Sequence, residues 1–136
     1  MEARAVRRSG WVTFVGVLFI IAGCCDIVGG IVALGVSLGG TDPAVLGDLS
    51  GPVHNLEGLG IVLTLVGILQ LVTGVGIMQR RPGAHMLGIT LSVIAIVTHF
   101  AYYRVLDGWA FTSMFWALVI LIILCARSEE FTGEVA

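Results

Sequence analysis

Two ionisable side chains, Asp26 and His99, stand inside otherwise apolar stretches of this chain. An acid and a base held together away from water can hold a proton, pass it on or bind a cation. Asp26 lies roughly 22 Å along a helix axis from Trp11, and His99 reaches a similar depth from Met86 on a helix expected to run the same way. The two can therefore meet. Thr64 and Gln70 are the polar candidates of the second apolar stretch, and Gln70 reads as an interhelical hydrogen-bonding residue. The plainer role for Asp26 is structural: protonated, or hydrogen-bonded to Thr64 or His99, it would fix helix register as a polar core residue does in a coiled coil. His54, Glu57, Arg104 and Asp107 form a polar rim at one end of the same spans. His54 and His99 differ in depth and lack companion ligands, so no metal is expected and no cofactor is assigned. No nucleotide loop, zinc motif, Cys-x-x-Cys or nucleophile elbow occurs, and nothing basic is extended enough for nucleic acid. No catalytic residue is assigned, and the chain is not expected to be an enzyme.

The elements that must position these side chains follow from composition. With 57% apolar residues, 12% charged and a mean hydropathy of +1.04, the 136-residue chain belongs in a bilayer, since a soluble domain carries about a quarter charged residues. Four stretches approach the length that crosses about 30 Å of hydrocarbon: about 11–34, 59–78, 86–102 and 109–125. They imply an all-α, polytopic bundle of four antiparallel transmembrane helices. Around this domain of residues 11–125 lie a basic head, 1–10, and an acidic tail, 126–136, with Arg104 and Asp107 in the turn before the fourth helix. The tail shows no periodicity.

The chain has no lysine. Threading four spans puts six of its seven arginines, all but Arg104, on one side, so the positive-inside rule places both termini in the cytoplasm of a bacterial cell, with the protein in its plasma membrane. Ile21-Ala22-Gly23-Cys24 looks like a lipoprotein cleavage site, but a second cysteine follows and the apolar run continues to Leu38. Cys24, Cys25 and Cys125 read as packing residues rather than a disulfide framework.

Two glycine ladders organise the first hairpin. Gly16, Gly23 and Gly30 recur every seven residues, as do Gly60, Gly67 and Gly74. A seven-residue repeat keeps one face toward a partner, and small residues let two backbones approach in lipid. Pairing Gly16 with Gly74 and Gly30 with Gly60 gives an antiparallel register with Asp26 opposite Thr64. Gly29, Gly30, Gly35, Gly39 and Gly40 are expected to loosen the outer end of the first helix.

The chain resembles a family of short four-helix membrane proteins known mainly from actinobacteria and described as a domain of unknown function. The likeness covers about residues 10–125. It rests on Gly10-Trp11 with Phe14 and Gly16, on Gly23 and the run Asp26 to Leu34, on His54 with Gly58 and Gly60, and on Gly88-Ile89. It implies a fold and a membrane, and no activity. The leading functional expectation is an accessory or interaction subunit that acts through helix packing in a homo-oligomer or larger membrane complex. A small transporter or channel with an ionisable path at Asp26 and His99 is the alternative, and a quinone- or haem-linked subunit is third.

Overall fold

Helices are the only way to satisfy backbone polar groups along single apolar segments in lipid, and the described residues form little else. The computed structural model describes residues 10–39, 56–81, 83–101 and 103–132. Four long helices, α1 (Gly10–Gly39), α2 (Leu56–Met78), α3 (Ala84–Ala101) and α4 (Tyr103–Ala126), run up and down, and a short α5 (Ser128–Thr132) follows. Among the described residues three helices are long and apolar enough to cross a membrane, and α4 contributes the shorter apolar run Phe111–Ala126. The protein is thus an all-α, multi-span membrane bundle. Its large apolar side chains face outward from every long helix, among them Val28, Leu65, Val97 and Phe115, as expected where the surroundings are lipid.

The buried residues of α1 are Val12, Gly16, Phe19, Gly23, Asp26, Gly30 and Ala33, one stripe at alternating spacings of four and three, with Val15 beside it. That stripe meets α2. A β-carbon built on Gly23 would lie 2.6 Å from the Gly67 carbonyl oxygen, and one on Gly67 would lie 2.7 Å from that of Gly23. The Gly30–Gly60 and Gly16–Gly74 pairs approach just as closely, at 2.7 and 2.8 Å for the first and 3.0 and 2.7 Å for the second. Backbone packs on backbone at three levels, each about two turns from the next. The register is the one the glycine spacing implies.

Two features differ from expectation along the chain. The glycines of the outer end do not loosen α1, which continues to Gly39. In lipid an unpaired amide costs far more than the roughly 1 kcal/mol helix penalty of a glycine. There is also no long turn before α4: the helix starts at Tyr103, so the backbones of Arg104 and Asp107 are already helical. Residues 1–9 and 40–55, which include the basic head and His54, lie outside the described residues.

At the end of the bundle that carries Arg80, Arg81 and Arg127, the helices are closed by specific contacts. The α2–α3 turn is a Schellman cap, with Arg81 N–H donating to the Gly76 carbonyl (2.9 Å) and Arg80 N–H to that of Ile77 (2.9 Å). Arg80 takes the left-handed position, φ 53°, where glycine is the usual residue. Arg80→Gly is expected to stabilise the fold by about 0.5–1 kcal/mol, net of the greater freedom glycine gives the unfolded chain. Thermal unfolding in detergent checks it; a lower midpoint would contradict this account of the turn.

The acidic tail is not featureless. Phe131 on α5 folds back, 5% exposed, into a core with Val12, Val15, Phe19, Ile77, Leu91, Ile120 and Leu124. His85 Nε2–H donates to the Leu124 carbonyl at 2.8 Å, capping one of the carbonyls left open at the end of α4. The same imidazole stacks on Phe131 with ring centroids 5.7 Å apart. Arg127 sits 5.1 Å above the Trp11 ring and pairs with Glu130 at 2.6 Å, so the start of α1 and the end of α4 share this end of the molecule.

Candidate functional site

Beyond this core, toward the opposite end, polar residues line a gap between the two helix pairs. The helices form two hairpins, α1 with α2 and α3 with α4, and α1 touches α4 far less than it touches α2. A cavity of about 400 Å³ lies between them. Each hairpin delivers polar groups to it: Asp26 from α1 and Gln70 from α2, then Ser92 and His99 from α3 and Thr112 and Ser113 from α4. Leu18, Phe19, Leu91, Ala95, Ala117 and Ile120 make up much of the rest of the wall.

Asp26, Gln70 and His99 are 7%, 3% and 3% exposed. The Gln70 side chain hydrogen-bonds the Asp26 carboxylate, and His99 lies close enough to act on it through its charge. Since a carboxylate only accepts, the Gln70 amide donates. Its Oε1 is then buried with no hydrogen-bond partner. An acceptor left so costs about 1–3 kcal/mol unless something fills the role of donor. His99 Nδ1–H donates to the Ala95 carbonyl at 2.7 Å, which leaves Nε2 as the other nitrogen of the ring. Ser92 donates its hydroxyl to Gly88 (2.9 Å) and keeps its lone pairs. The cluster offers acceptors and one acid–base pair, enclosed by apolar walls.

Asp26 and His99 thus come together as their depths implied. Thr64 does not join them: its hydroxyl donates to the Gly60 carbonyl at 2.8 Å and its Oγ1 packs against Gly30. Gln70 takes the place expected of Thr64, for a geometric reason. Helical side chains lean toward their own N-terminus, so in an antiparallel pair Asp26 and Gln70 lean toward each other and close an offset of about six residues. Glu57 is exposed in the first turn of α2, where a carboxylate complements the helix dipole. The side chains of Arg104 and Asp107 lie outside the described residues, as does His54. Among the described residues no three His, Cys, Asp or Glu side chains are grouped to hold a metal.

Sequence reasoning passed over Ser92, His85 and the α4 residues of the cavity wall. Gly88, Ser92, Ala95 and His99 share one face of α3 at helical spacing, so the small stripe through Gly88 and Ala95 already pointed to Ser92 and His99. The α4 wall had no such signal, because its apolar residues are spread around the helix.

The fold and this buried polar cluster define a multi-span helical membrane protein with an intramembrane polar site. The chain matches the domain of unknown function DUF7144 over residues 11–129 and belongs to that family. No curated protein and no solved structure matches it.

Proposed function

We propose that the protein is a small, non-enzymatic membrane carrier, with Asp26 and His99 as the pair that holds a proton or a cation. The observation that carries this reading is the convergence of Asp26, Gln70 and His99, from three different helices, on one cavity. Intramembrane ionisable groups facing a cavity typically mark such pathways. A carrier fits better than an open channel, because Phe19, Ile77, Ile120 and Leu124 fill the bundle toward its arginine-bearing end. The arginine distribution supports a plasma-membrane orientation with both termini in the cytoplasm and four spans. Proton flux into proteoliposomes, followed with an entrapped pH dye, tests the reading. Asp26→Asn is expected to lower the protein-dependent flux by at least about tenfold, a barrier change of about 1.4 kcal/mol. Flux that survives the substitution, or wild-type flux no greater than that of empty liposomes, would sink it.

The second reading is the accessory subunit, acting through helix packing in a homo-oligomer or larger complex. It is favoured by the apolar outer face of α4, where Phe111, Phe115, Leu118 and Ile122 stand exposed. Native mass spectrometry of the gently extracted protein distinguishes it. A larger heteromer supports this second reading, and a bare monomer counts against it.

A further inference from the structure

We infer that the cavity between the two hairpins binds a lipid-soluble amine, a molecule with an apolar body and a primary or secondary ammonium head. This rests on the reading of Asp26 and His99 as the working pair and names the chemical class that they hold.

The head is specified by what the polar pole lacks. Its unfilled capacity is for accepting: the Asp26 carboxylate, the buried and unpartnered Gln70 Oε1, and the lone pairs of Ser92. Three of the hydrogens at this pole are engaged within the protein, since Gln70 donates to Asp26, Ser92 to Gly88 and His99 Nδ1–H to Ala95. A ligand that fits must bring several N–H or O–H groups and is favoured further if it brings positive charge. An ammonium does both. Ketones and carboxylates would leave Gln70 Oε1 as it is and add acceptors to acceptors.

The body is specified by the walls, which are almost wholly apolar and enclose a volume within the range of about 300–1,000 Å³ usual for small-molecule sites. The route is specified by the gap between α1 and α4. Ile21 and Trp116 line the cavity yet are 55% and 43% exposed on the outer surface of the bundle, so they form a rim that opens sideways into lipid. A molecule already dissolved in the bilayer reaches the site without crossing the filled end of the bundle.

The test is equilibrium dialysis of four probes with one phenylbutyl body against wild-type protein in phosphatidylcholine nanodiscs, with empty nanodiscs subtracted. The probes are 4-phenylbutylamine, its N-trimethyl derivative, 4-phenylbutanol and 4-phenylbutyrate. The amine is expected to bind most tightly, at least about tenfold above the butyrate, with the trimethyl compound well below the amine because it has charge and no donor. Asp26→Asn should cost the amine about tenfold and leave the alcohol within about twofold. Gln70→Met should weaken both, and Ala95→Leu, which fills the space, should abolish both. Circular dichroism and gel filtration report whether each variant has folded, and the wild-type probe order decides the matter if one has not. Equal binding of the four probes, no binding above empty nanodiscs, or an amine preference untouched by Asp26→Asn would overturn the inference. Selective amine binding without any flux would reject the carrier reading alone, and Asp26-dependent proton flux without amine preference would reject the amine alone.

Discussion

Gly67→Val is expected to separate α1 from α2 and to lower stability by more than the about 1–3 kcal/mol usual for overpacking. The reason is what the new side chain would strike. Its β-carbon would lie 2.7 Å from the Gly23 carbonyl oxygen and 2.9 Å from the Ile27 nitrogen, and neither can swing aside as a side-chain tip can. The two helices would have to move apart along the whole seam, because Gly16 with Gly74 and Gly30 with Gly60 hold the same close distance on either side. Separation would also disturb the cavity, since Asp26 and Gln70 belong to these two helices. Gly35→Ala is the control: a β-carbon there meets nothing within 4 Å, so the substitution should be neutral or stabilise by up to about 1 kcal/mol through helix propensity. Unfolding by denaturing detergent, followed by circular dichroism, measures both. Equal effects at the two positions would show that the seam does not hold the hairpin.

Phe131→Ala carries the second large effect, about 3 kcal/mol, at the low end for removing a buried aromatic ring. The ring is buried among Val12, Val15 and Leu124, and the residue stacked on it, His85, also caps the Leu124 carbonyl. Losing the ring would leave the imidazole without a wall and loosen the end of α4. Phe131→Leu should recover most of the loss, because it keeps much of the apolar bulk but not the stacking; a cost of about 1 kcal/mol is expected. The same unfolding measurement checks it, and a Phe131→Ala protein as stable as the parent would show that the tail only rests on the bundle.

The architecture was legible where a physical constraint leaves a periodic trace. A seam that needs glycine must repeat glycine, and the seven-residue spacing in two segments fixed both the partners and their register. Depth was legible too, because rise per residue is constant, and so Asp26 and His99 could be placed together. What counting along an axis omits is azimuth and lean. Thr64 is at the correct level for Asp26, but its hydroxyl turns to the carbonyl of Gly60, and the longer Gln70 reaches across from a level further along. Propensity misled at the outer end of α1, where glycines signal a break in water but not in lipid. Phe131 was missed because a lone aromatic in an acidic tail has no period, and its burial depends on how α5 turns back under the bundle.

The unbroken course of α1 has one more consequence. Thirty residues of helix measure about 45 Å, well beyond the about 30 Å of an average hydrocarbon layer. Gly16 to Gly30 tie α1 to α2 as one plank, so any slant adopted by one must be adopted by the other. Past Leu34 there is little of α2 left to lean on, yet Val36 and Leu38 are still apolar. The excess length therefore makes hydrophobic mismatch a property of the hairpin as a whole: a thick bilayer favours it upright and a thin one tips it. Since the mouth of the cavity lies between this plank and α4, membrane thickness bears directly on how wide that mouth stands.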